Sequence, residues 1–178
     1  QMKSVGEGRS IGRTFKEALQ KAIRSMEVKR FGFGLDRNDK WLAAHRAITA
    51  KGLPPTTESF ESLTEELTAA DGTPITWPIP EETLVRKLSV PSQGRLYYVR
   101  YAMKMGWSIQ QVHEQTGIDP WFLDQFKQLI EFEDELISHE RLEDLSSQTL
   151  FAAKQMGYSD PQLANLYLGD IKSETILK

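Results

Sequence analysis

Ser108-Ile109-Gln110-Gln111-Val112-His113-Glu114-Gln115-Thr116-Gly117-Ile118-Asp119-Pro120-Trp121-Phe122-Leu123 contains two helix starts and the turn between them. Ser108 with Gln111 three residues on has the spacing of a capping box, in which each side chain satisfies a backbone donor at the helix start. Gly117 supplies the stop, and Asp119 followed by Pro120 is a second N-cap with proline at the first helical position. This stretch predicts helices over 108–116 and 119–138, arranged as a helix-turn-helix. Met156-Gly157-Tyr158-Ser159-Asp160-Pro161-Gln162-Leu163-Ala164-Asn165-Leu166 opens another helix in the same way, over 159–168.

Helical signals dominate outward from there. Upstream, Thr14 and Glu17 stand at capping-box spacing, and Phe15, Ala18, Leu19, Ala22, Ile23 and Met26 recur at i, i+3, i+4 as one apolar stripe. Further helices are predicted over 40–51, stopped by Gly52 and the Pro54-Pro55 pair, and over 58–70, 81–90 and 95–105. Leu96, Val99 and Met103 are expected to face inward on the last of these. Asp71 to Pro80, with Gly72, Pro74, Pro78 and Pro80, reads as loop or extended linker. Downstream, 142–156 reads as one helix. The expected class is all-α, an irregular multi-helix domain, preceded by a short extended segment at the N-terminus.

Composition narrows the function. The 39% hydrophobic and 26% charged fractions are those of a globular chain, and the absence of cysteine removes disulfides and thiolate metal sites. No apolar run approaches the ~20 residues that span a bilayer, so no membrane partner is expected. The net charge of -3 argues against nucleic acid. So does the would-be recognition helix, where Asp119, Asp124, Glu131, Glu133, Asp134 and Glu135 face one base, Lys127. A packed helical hairpin is the better reading of that pair, with Trp121, Phe122, Phe126, Leu129 and Ile130 burying a wide apolar surface.

Catalytic constellations are missing from the sequence. His45, His113 and His139 form no metal-ligand pair or triplet, and the glutamates and aspartates of 131–135 read as a solvated acidic face. Gly6-Glu7-Gly8 and Phe31-Gly32-Phe33-Gly34 lack the Lys-Ser/Thr ending of a phosphate loop. No catalytic, cofactor-binding or metal-binding residue is therefore assigned.

Several phrases carry a resemblance. Met2-Lys3-Ser4-Val5-Gly6-Glu7, then Ile11-Gly12-Arg13-Thr14 and the helix from Phe15, resemble the segment that leaves the first ATP-grasp half of the carbamoyl-phosphate synthetase large subunit. Arg95 to Trp107, Ile118-Asp119 with Trp121-Phe122-Leu123, and Leu150 to Asp160 resemble successive phrases of its helical oligomerisation domain. Gly8-Arg9-Ser10 departs from the apolar or small residues usual after Gly-Glu in that family, and 53–80 looks like an insertion. The resemblance implies residues 1–14 as the tail of the preceding ATP-grasp domain and 15–178 as a helical oligomerisation and connection domain.

It further implies a parent enzyme, an ATP-dependent ligase. That enzyme makes carbamoyl phosphate from bicarbonate, glutamine-derived ammonia and two ATP, with Mg2+ and K+, for pyrimidine or arginine biosynthesis in the cytoplasm. The segment itself would be non-catalytic and would hold no cofactor. Its expected partners are the flanking ATP-grasp domains, a small glutaminase subunit and further copies of itself. Phe31, Phe33 and Leu35, three large apolar residues in a Gly-rich loop, are the candidate subunit interface. The alternative for them is a fold-back into the chain's own core. A free-standing helical scaffold and a helix-turn-helix DNA-binding regulator remain the competing functions.

Overall fold

The computed structural model describes residues 8–26, 28–63, 66–69 and 72–169. Among them the architecture is all-α. The helices are α1 (Phe15–Ser25), α2 (Lys40–Ala50), α3 (Thr57–Glu61), α4 (Glu81–Ser89), α5 (Arg95–Lys104), α6 (Ile109–Thr116), α7 (Pro120–Ile137), α8 (Ser147–Gln155) and α9 (Asp160–Leu168), with one two-stranded hairpin and a 3-10 turn at Leu142–Asp144. Met2 to Glu7 of the expected extended segment lie outside the described residues, and residues 8–12 take neither helix nor strand.

The caps explain the boundaries. Thr14 Oγ1 accepts from Glu17 N, but the Glu17 carboxylate reaches Arg13 N at 2.8 Å instead of closing a box on Thr14. Both Ser108–Gln111 and Ser159–Gln162 form complete capping boxes. Gly117 ends α6 at φ +67°, a left-handed conformation that costs glycine nothing.

Three segments depart from the sequence expectation. The helix predicted over 58–70 is only the single turn of α3, because Ser/Thr side chains there bond locally: Ser62 Oγ donates to Ser59 O. Leu67 pairs instead with Ile75 and Thr68 with Pro74, in strands β1 (Leu67–Thr68) and β2 (Pro74–Ile75). Asp71-Gly72 was the hairpin signal. The predicted linker of 71–80 therefore carries core residues, with Ile75, Trp77 and Ile79 all buried. The predicted helix of 142–156 breaks at residues 145–146, where the Ser146 side chain accepts from Thr149 N and starts α8 afresh.

The chain groups into two compact units, residues 37–127 and residues 1–36 with 128–178. In the 37–127 unit, α4 packs on α5 and α6. Its anchor is ionic. Asp39 caps α2, accepting from Trp41 N and Leu42 N, and its carboxylate meets Arg100 of α5 at 2.9 and 2.8 Å with both side chains fully buried. Phe60, Trp77, Tyr101 and Tyr98 stack edge-to-face in sequence at 6.1, 5.8 and 5.6 Å, so the 53–80 segment is tied into this core by its own aromatics. Val99 is buried on α5 as expected, whereas Leu96 and Met103 are half-buried and Arg100 takes the innermost place.

In the other unit, Ile23, Phe33, Leu35, Leu129, Ile130, Leu136, Ala153, Tyr158 and Leu163 form the core. Tyr158 and Tyr167 hydroxyls donate to the Leu129 and Leu136 carbonyls at 2.8 and 2.7 Å, tying α9 and its leading turn to α7. Burial pushes the Tyr167 phenol up to about 12. Gly157 stands at φ +89°, where a Cβ would come within 2.9 Å of Glu17 Cα, so only glycine lets this turn approach α1 so closely. Among the described residues, no helix is long and apolar enough to cross a membrane.

Candidate functional site

The candidate interface loop is placed inside. Phe33 and Leu35 are 1% and 0% exposed, while Phe31 is half-buried. The fold-back alternative describes Phe33 and Leu35; their side chains are not offered on the surface of this fold. The reason is a polar clamp. Gln20 Oε1 accepts from Phe33 N at 3.1 Å and from Gln162 Nε2 at 3.1 Å, and Gln162 Nε2 also donates to Gly34 O at 2.8 Å. Asn165 Nδ2 donates to Leu35 O at 2.9 Å, and Ser159 Oγ to Phe31 O at 3.1 Å. A side chain at Gly32 would run into the Gln20 and Gln162 amides. Leu35 at φ +61° is a bulky residue in the left-handed region, held there by these bonds.

Gln20, Gln162 and Asn165 were not singled out from sequence as functional positions. One signal existed. Gln20 lies three residues before Ile23, on the buried side of α1, where a polar residue needs a partner inside.

Two other groups of expected core or surface residues differ. Trp121 and Phe122 are 55% and 40% exposed, because the buried stripe of α7 runs through Leu123, Phe126, Leu129, Ile130 and Leu136. On a helix, positions one and two before Leu123 point about 100° and 200° away from it. Glu133 is fully buried and leaves the solvated acidic face to Glu131, Asp134 and Glu135. The histidines stay apart: His113 Nδ1 meets Ile118 O and His139 Nδ1 meets Glu135 O. No group of His, Cys, Asp and Glu among the described residues could hold a metal ion.

The surface does contain one concavity of note. A cleft of about 430 Å³ lies between the start of α1 and the second half of α8. Its walls include Arg13, Lys16, Phe151, Ala152, Lys154 and Met156. Phe151 is 61% exposed. Lys16 Nζ donates to the neutral Gln128 Oε1 at 2.5 Å, and Lys154 pairs with Asp160. Glu17 also borders the cleft, but the Lys21 ammonium and then the Arg13 amide hold its carboxyl below the ordinary range. Glu17 thus stays ionised, so the cleft sets the Arg13 and Lys16 cations beside one carboxylate and an exposed aromatic ring, with no nucleophile–base pair among its lining residues.

Comparison with known proteins agrees with the phrases read from the sequence. Residues 7–70 and 55–176 match the family described as carbamoyl-phosphate synthetase large chain, oligomerisation domain. The two stretches meet within the segment read as an insertion. The chain is 38% identical over 170 residues to the carbamoyl phosphate synthase large chain of Archaeoglobus fulgidus, covering 94% of this chain and 12% of the relative. It is 41% identical over 166 residues to that of Rhodopirellula baltica, covering 93% and 12%. It is also 35% identical over 165 residues to the Aquifex aeolicus carbamoyl phosphate synthase large chain, N-terminal section, covering 93% and 22%. The chain thus spans only a small part of the curated relatives it matches. With its helical architecture and the family's phrases in order along nearly its whole length, the chain belongs to the carbamoyl-phosphate synthetase large-chain family, as an oligomerisation-domain segment.

Proposed function

We propose that this chain is the helical connector and oligomerisation module of a carbamoyl-phosphate synthase large chain. It joins two ATP-grasp halves and gives the assembly a surface for association between copies. The parent enzyme makes carbamoyl phosphate from bicarbonate, ammonia released from glutamine by a small glutaminase subunit, and two ATP. ATP, Mg2+ and K+ belong to the ATP-grasp halves, and the setting is the cytoplasm, in pyrimidine or arginine biosynthesis. The observation that carries the reading is the identity of 38–41% over more than nine-tenths of the chain. The internal packing supports a folded module, because each unit has its own buried polar anchor.

The test is replacement of this segment in the parent polypeptide by a flexible linker of equal reach. The expected result is loss of assembly and of coupled carbamoyl phosphate synthesis, with bicarbonate-dependent ATP hydrolysis by the first half retained. Full synthesis at the native oligomeric state would overturn the reading. The chain alone should hydrolyse no ATP with bicarbonate present.

A further inference from the structure

We draw no further inference here: the strongest candidate, the cleft between the start of α1 and the second half of α8, carries nothing, because its Glu17 and Lys154 are already paired with Lys21 and Asp160 and nothing in the structure shows what covers it.

Discussion

The two units are held by differently built buried polar centres. In residues 37–127 the centre is an ion pair, Asp39 with Arg100, which also starts α2 and stacks the guanidinium 5.7 Å from the Trp41 ring. In the other unit an ion pair, Arg30 with Asp36 at 2.7 Å, stands beside an array of Gln20, Gln162 and Asn165 amides on the carbonyls and an N–H of the 31–36 loop. The Asp39–Arg100 pair fixes one helix start against one helix. The amides fix a loop with no regular structure of its own, whose backbone groups would otherwise be buried unsatisfied. An irregular segment needs partners all along its backbone, whereas two regular elements are joined here by one ion pair.

The largest expected effect is at the Asp39–Arg100 pair. Arg100→Leu leaves the Asp39 carboxylate buried without its partner and should cost about 3–5 kcal/mol, read as a drop in urea midpoint at unchanged slope. A cost below ~1 kcal/mol would mean that water reaches the carboxylate and that the two centres differ less than their chemistry says. Next, Gln162→Leu removes donors from Gly34 O and Gln20 together with the Ser159 capping box, for about 1–3 kcal/mol. Gln20→Leu combined with it should cost less than the sum of the single changes, since both belong to one network. Strict additivity would show that the amides act separately.

Smaller again is Tyr158→Phe, which deletes one hydroxyl bond to Leu129 O in the amide-braced unit and should cost about 1 kcal/mol. A loss comparable to that of Gln162→Leu would put the tyrosine hydroxyl on a par with the amide array. The smallest effect is acid sensitivity at the start of α1. The hydrogen bond from Lys21, then that from Arg13 N, lowers the Glu17 pKa from its ordinary 4.5. Its contribution is thus present above pH 4.5 and lost as pH falls through the lower folded value. Glu17→Gln should lower stability slightly near neutrality, flatten the stability curve in that window and leave the acid end unchanged. An unaltered acid limb would exclude Glu17 as its source.

Legibility followed the same division between local and long-range forces. The capping pairs at Ser108–Gln111 and Ser159–Gln162 could be read directly, because a cap involves residues three apart and little else. The 58–70 error arose where local signals competed: apolar spacing suggested a helix, while Ser/Thr content and Asp71-Gly72 favoured a turn and hairpin. Trp121 and Phe122 were misplaced because hydrophobic type was read without the register that Leu123 and Phe126 impose. At the candidate interface, Phe33 and Leu35 looked like surface anchors because their clamp comes from Gln162 and Asn165, about 130 residues away in the chain.

The sequence by itself determined the all-α class, most helix boundaries and the family, since each rests on spacing, caps or contiguous phrases. Only the tertiary structure decided that Phe33 and Leu35 of the 31–36 loop are core and that the 74–80 segment packs through Ile75, Trp77 and Ile79. Those outcomes depend on which distant groups satisfy a buried carbonyl, and no local pattern encodes a partner a hundred residues away.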